Sequence, residues 1–174
     1  MSKTALKKEL QKLSKEQLIE QILDLYGKNK TVKTFYDFYL NPTNEKKLLE
    51  KCKKEIRKEF NVENPMRASL KFSLAKKAIS ELKDLQVLPE TIADAILYLA
   101  ECACQFTAEY GDMDEPFYTS AWNNYKLALK FIAQHNLLSQ FKTRAKQCVQ
   151  WASPCGYGFA DDIADVFYEY YSSN

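Results

Sequence analysis

Residues 92–106 read IADAILYLAECACQF, and this stretch decides the fold. Apolar residues, counting cysteine and tyrosine, occupy 12 of the 15 positions, so that a helix formed here has apolar side chains nearly all round. A helix without a polar face is usually buried on every side. Pro89, just upstream, suits the first turn of a helix, where no backbone N–H is needed. The stretch therefore predicts a central helix against which other helices pack.

Most of the remaining chain repeats apolar residues with a period near 3.6, and no useful stretch alternates with period 2. With only 4 Gly and 5 Pro, the chain has few signals for tight turns. We therefore predict an all-α single domain over residues 1–174, with about nine helices in an irregular antiparallel bundle. Unequal helix spacing argues against a regular repeat, although a solenoid-like stacking of helical hairpins in the later half remains the alternative.

The first helices have clear local signals. Ser14 with Gln17 is the pattern of a capping box at the start of the second helix. Asn41-Pro42 should end the third helix, Thr43 or Asn44 should cap the fourth, and NVENP at 61–65 should break the chain before a helix over 66–85. The following residues should form the packed faces of the first three helices: Leu6, Leu10, Leu13, Leu18, Ile22, Leu25, Tyr26, Val32, Phe35, Tyr36 and Tyr39.

The acidic stretch EYGDMDEPFY, residues 109–118, is interpreted as a junction between two helices. Gly111 can end the first helix, and Asp112 or Asp114 can cap the next. Asp114 and Glu115 suit the positive end of its dipole. An EF-hand is excluded because the sixth residue from Asp112 is Phe117 instead of glycine. A cation site or a partner surface at Asp112, Asp114 and Glu115 stays open as an alternative.

Charge is distributed unevenly along the chain. Residues 1–60 hold 15 Lys or Arg against 9 Asp or Glu, a net charge of +6, and residues 89–174 have a net charge of −6. We call 1–60 the basic N-terminal helices and 61–174 the more acidic helical core. The outer face of the most basic helix presents a candidate interaction surface for a protein or for nucleic acid. Its residues are Lys47, Lys51, Lys54 and Lys58.

Residue types used in catalysis and metal binding are sparse. The 5 cysteines are widely spread without a CxxC pair, which predicts buried, reduced thiols. His135 is the only histidine and lies near the end of a predicted helix. The stretch SPCGYG, residues 153–158, predicts a tight turn that packs Tyr157 and Phe159 into the core, with Tyr157 also a candidate contact residue. We predict no catalytic residue, no cofactor and no metal.

Four quoted stretches together resemble an uncharacterised bacterial family, a domain of unknown function. They are LSKEQLIEQILDLYGKNKTVKTFYDFYLNP at 13–42, AKKAISELK at 75–83, YGDMDEPFY at 110–118 and GYGFADDIADVFYEYY at 156–171. The resemblance extends over essentially the whole chain. It implies a single-domain helical protein with no assigned activity and no known functional residues.

The function stays open at this level. No stretch approaches the roughly 18 apolar residues of a membrane span, and the lysine-rich start does not resemble a signal peptide, so we expect a cytoplasmic protein without membrane contact. The first hypothesis is a non-enzymatic protein-interaction module with an unknown protein partner. Weak nucleic-acid binding by the basic N-terminal helices is the second, and an unrecognised enzyme is the third.

Overall fold

The computed structural model describes residues 2–41, 45–60 and 63–172. Within these ranges there are nine α-helices, one short 3₁₀ helix at Pro65–Arg67 and no β-strand, so the all-α prediction is confirmed. The helices are α1 Lys3–Leu10, α2 Lys15–Lys28, α3 Lys30–Leu40, α4 Glu45–Phe60, α5 Phe72–Asp84, α6 Pro89–Tyr110, α7 Glu115–Gln134, α8 Leu138–Ala152 and α9 Phe159–Tyr171.

The chain divides into two compact units. Unit 1 comprises Met1–Asn44 and therefore holds α1 to α3, and unit 2 comprises Glu45–Asn174 and holds α4 to α9. The expectation of one helical domain stays a prediction.

Unit 1 consists of three short amphipathic helices. The Ser14–Gln17 capping box is present in both directions, as predicted, with Ser14 N–H donating to the Gln17 side chain at 2.9 Å. Yet none of the side chains in α1 to α3 is buried. Leu6, Leu25 and Tyr39 are more than half exposed, and Ile22 is also exposed, so the expectation that these four side chains pack inside is wrong. Three short helices offer too few neighbouring side chains to enclose an apolar stripe.

Unit 2 is organised around α6. This helix packs against α4, α5, α7 and α8, while α9 packs against α7 and α8. Leu97, Leu99 and Ala103 of α6 have no exposed surface, which confirms the central helix predicted from residues 92–106. Helices two apart in the chain also pack against each other, such as α4 with α6 and α6 with α8, which is consistent with an all-α bundle. The solenoid-like stacking of the later half stays a prediction.

The helix predicted over 66–85 begins later than expected. Residues Pro65–Arg67 form a 3₁₀ turn, and α5 starts only at Phe72. Between them Leu70 has a φ of 53° and donates its N–H to the Glu59 carbonyl at 2.8 Å, a geometry that interrupts an α-helix. The predicted helix stop at Pro42, the cap at Thr43 or Asn44, and positions 61 and 62 of the NVENP break lie outside the described residues.

No helix in residues 2–41, 45–60 and 63–172 is both long enough and apolar enough to cross a membrane.

Candidate interaction groove between α4 and α6

An open groove of about 1020 Å³ lies between α4 and α6 of unit 2. Its lining residues recur every three or four positions along both helices, so each helix contributes one face. The α4 wall carries all four positive charges of the lining, and the α6 wall provides an aromatic ring, a thiol, an amide and a carboxylate. The lining comprises Glu50, Lys51, Lys54, Arg57 and Lys58 of α4, Tyr98, Cys102, Gln105 and Glu109 of α6, and Glu63.

Arg57 is held in place by Tyr98 across the groove. Its Nε donates a hydrogen bond to the Tyr98 hydroxyl at 2.9 Å, and its guanidinium carbon lies 5.8 Å from the centre of the ring. The hydrogen bond to the Tyr98 hydroxyl raises the pKa of Arg57 above its ordinary value. Because Nε is occupied, the guanidinium is oriented and its two outer nitrogens remain available to an acceptor.

The cations of the α4 wall differ in their pairing. Lys58 forms an ion pair with Glu55 at 2.7 Å. None of Lys51, Lys54 and Arg57 takes part in an ion pair with a carboxylate of the described residues. The groove therefore presents three positive side chains that are free to bind an anionic group.

The thiol in the groove is not activated. Burial, the largest effect, raises the pKa of Cys102 to about 12, so this side chain stays a neutral thiol at physiological pH. Burial also raises the pKa of Tyr98. His135 forms the C-cap of α7 and packs against Phe131, and it does not line the groove. The groove thus offers hydrogen-bond donors and acceptors, without a thiolate or an imidazole.

All five cysteines are free, as the sequence predicts. Four of them are buried and Cys155 is half-buried. Burial is the largest cause of the raised pKa of Cys52 (to about 11), Cys148 and Cys155. No group of three or more His, Cys, Asp or Glu among the described residues has the geometry to hold a metal ion.

Three of the four candidate lysines of the basic helix line the groove. Lys51, Lys54 and Lys58 line it, whereas Lys47 is exposed on α4 and is not part of the lining. Sequence reasoning missed Arg57 and Tyr98 as functional candidates. The signal was weak, because nothing in the sequence places residue 57 beside residue 98.

The candidates around residues 109–118 form a separate junction. The Asp114 side chain accepts a hydrogen bond from the Phe117 N–H at 3.0 Å and caps α7, while Glu115 is exposed in its first turn. Gly111 ends α6 with a φ of 99°, a value that favours glycine. These observations confirm the helix-junction interpretation of the stretch.

Asp112 links this junction to the turn before α9 by hydrogen bonds. Its Oδ1 accepts from the Tyr118 hydroxyl at 2.6 Å and from the Gly156 N–H at 2.8 Å. These two hydrogen bonds, the one from Tyr118 first, lower the pKa of Asp112.

Tyr157, next in the turn, is 79% exposed with a φ of 54°, so the expectation that it packs into the core is wrong. Phe159 is buried as expected and stacks on Tyr118.

A further charged cluster joins α4, α6 and α8. Arg144 donates to both oxygens of Glu101 and to Asp94, each at 2.7 Å, and Lys53 pairs with Asp94 at 3.0 Å. Sequence analysis overlooked these residues. The sequence did contain a signal, since Asp94 and Glu101 are two carboxylates in the otherwise apolar stretch 92–106. A carboxylate buried in such a helix requires a partner of opposite charge.

Fold and site together define an all-helical protein with an open groove of mixed charge and an oriented arginine. The chain belongs to the family of unknown function DUF6155, whose profile matches residues 1–154. The match confirms the resemblance to an uncharacterised family over most of the chain, but it ends before α9, whereas the resemblance was expected to extend to the end. No curated protein and no solved structure matches the chain.

Proposed function

We propose that this protein is a non-enzymatic interaction module whose α4–α6 groove binds an acidic helical segment of a partner protein. The observation that carries the proposal is Arg57, which is oriented by Tyr98 and forms no ion pair with a described carboxylate. An oriented guanidinium forms a bidentate pair with a carboxylate at little additional cost in conformational entropy. Lys51 and Lys54 extend the positive wall for further carboxylates.

The dimensions of the groove suit a helix. The α6 wall extends from Tyr98 to Glu109, which corresponds to about 16 Å at the rise of an α-helix. A partner helix of about three turns fits this length, with its acidic face toward α4. Glu63 and Glu109 add negative charge to the lining and would accept hydrogen bonds or ion pairs from basic side chains of the same partner.

Nucleic-acid binding is the second candidate, because four cations of α4 line one groove. However, Glu50, Glu63 and Glu109 lie in the same lining and reduce the positive potential that a phosphate backbone would meet. A protein helix whose carboxylates lie on one face, toward α4, fits this lining better. The neutral Cys102 thiol also supports binding over nucleophilic catalysis.

We further propose a cytoplasmic location in a bacterial cell. The free cysteines support a reducing compartment, and the resemblance noted above is to a bacterial family. Fractionation of the native cell with an antibody against the protein tests the location, and recovery in a secreted or envelope fraction would contradict it.

The test of the groove uses a labelled, alanine-based helical peptide of about 14 residues with glutamate at every third or fourth position. Its matched control replaces each glutamate with glutamine. Fluorescence anisotropy should show binding of the glutamate peptide at least about tenfold tighter than that of the glutamine peptide. Arg57→Ala should remove this difference, and Arg57→Lys should restore only part of it because a lysine cannot bind in bidentate fashion.

Two controls make the result specific to the groove. Lys76→Glu changes an exposed lysine of α5 outside the lining and should leave peptide binding unchanged. Duplex DNA and single-stranded RNA are measured in parallel at about 150 mM salt. The proposal fails if the glutamine peptide binds equally well, or if a nucleic acid binds more tightly than the glutamate peptide and loses affinity on Arg57→Ala.

A further inference from the structure

The last helix of this chain has the chemistry that the groove requires. All four of its charged side chains are carboxylates, and all four are exposed: Asp161, Asp162, Asp165 and Glu169. At about 100° per residue they fall within an arc of about 100° on one face of α9. The opposite face is buried against α7 and α8 through Phe159, Ile163, Val166 and Phe167.

The helix dipole accounts for only two of the four carboxylates of α9. Asp161 and Asp162 lie in the first turn, where they stabilise the positive end of the helix dipole. Asp165 and Glu169 lie beyond that turn, and none of the four takes part in an ion pair with a described residue. Tyr168 borders this face and is 58% exposed.

The acidic face of α9 and the basic wall of the groove match in sign and in length. From Asp161 to Glu169 the face extends about 12 Å, and from Lys51 to Lys58 the α4 wall extends about 10 Å. Within one molecule α9 packs against α7 and α8, whereas α4 and α6 form the groove. The complementary surfaces belong to different helices of unit 2, so a second copy can bring them together.

We propose that α9 of one copy docks in the α4–α6 groove of a second copy, with its carboxylates on Lys51, Lys54 and Arg57. This inference rests on the proposed function of the groove and names its occupant. The contact joins two different surfaces, so copies associate head to tail and form either a ring or an open chain. Because it depends on exposed charge pairs, the association weakens as salt is raised.

Sedimentation velocity of the full chain at rising concentration tests the docking. The unmodified protein should associate at about 50 mM salt and dissociate at about 500 mM. The groove variant Lys54→Glu with Arg57→Glu, and the helix variant Asp165→Lys with Glu169→Lys, should each remain monomeric. An equimolar mixture of the two variants should associate, because the reversed groove of one then meets the reversed α9 of the other.

Circular dichroism of each variant confirms that it is folded, and Lys76→Glu serves as a charge-changing control that should associate like the unmodified protein. A monomeric unmodified protein, or a mixture of the two variants that stays monomeric, overturns the docking of α9. If the helix variant still binds the glutamate peptide in that case, the groove takes another acidic segment and the proposed function stands. If peptide binding is absent as well, both proposals fail.

Discussion

Unit 1 and most of unit 2 are built from amphipathic helices, yet only unit 2 has a core. No side chain of α1 to α3 is buried, whereas every helix from α4 to α9 buries at least three. Even a local contact recurs in both units: the Tyr26 hydroxyl donates to Asp37 and the Tyr118 hydroxyl donates to Asp112, each at 2.6 Å. The comparison shows that an apolar stripe makes a helix amphipathic, while a core also needs neighbours on several sides.

The largest expected effect is the loss of a core side chain in unit 2. Leu97→Ala should lower the free energy of unfolding by about 2–5 kcal/mol, because Leu97 is fully buried and its removal leaves a cavity. Leu23→Ala, at an exposed position of unit 1, should change it by less than about 0.5 kcal/mol. Urea unfolding followed by tryptophan fluorescence measures this, since Trp122 and Trp151 both belong to unit 2. An equal loss in both variants would show that unit 1 shares the core.

The ion cluster of unit 2 should give the second largest effect. Arg144→Met leaves Glu101, which is buried, without its bidentate partner, and should cost about 1–3 kcal/mol. The matched change in unit 1 is Lys12→Met, which breaks an exposed pair with Glu9 and should cost less than about 0.5 kcal/mol. Thermal unfolding of both variants gives the comparison. Equal melting temperatures for Arg144→Met and the unmodified protein would show that the cluster adds no stability.

Loss of a helix cap comes next. Asp114→Ala removes the acceptor for the Phe117 N–H and should lower the stability of unit 2 by about 0.5–2 kcal/mol. Ser14→Ala removes the corresponding cap of α2. It should reduce far-UV helical signal without shifting the tryptophan transition, if unit 1 adds little to the core.

Calcium provides the control for the junction. It should not raise the melting temperature of the unmodified protein, because the Asp112 and Asp114 side chains are occupied by hydrogen bonds. A calcium-dependent rise that is abolished by Asp112→Asn with Asp114→Asn would show that the junction also binds a cation.

The smallest effect is a pH dependence at the same junction. The hydrogen bonds from Tyr118 and then Gly156 hold the pKa of Asp112 below its ordinary value of 3.8. Its contribution to stability is therefore complete above that value and is lost as the pH falls through the lower pKa of the folded state. Asp112→Asn should flatten the change in tryptophan-detected stability as the pH falls below about 4.

Asp37→Asn is the matched change in unit 1. The pKa of Asp37 is lowered by hydrogen bonds from Tyr26 and then Lys33. Because Asp37 belongs to unit 1, its replacement should leave the tryptophan transition unchanged over the same pH range. A flattened profile for Asp37→Asn and not for Asp112→Asn would reverse the comparison.

Local features of this fold could be predicted from the sequence. The capping box at Ser14 and a cap at Asp114, as one of two candidates, follow from side chains within a few residues of each other. The central helix could also be predicted, because its composition leaves no face suited to water. The late start of α5 could not be predicted in this way, because the positive φ of Leu70 is stabilised by a hydrogen bond to Glu59, eleven residues earlier.

The amino-acid sequence by itself determined most of the helices and the caps at Ser14 and Asp114, since these depend on contacts within one or two helical turns. It also indicated the burial of α6, because the composition of that helix leaves no face suited to water. The tertiary structure alone decided which faces were covered. Arg57 meets Tyr98 across 41 residues, Arg144 meets Glu101 across 43, and Asp112 meets Gly156 across 44. Such pairs depend on how the helices pack against one another. For that reason the sequence predicted a basic face on α4, and only the packing of α4 against α6 made it one wall of a groove.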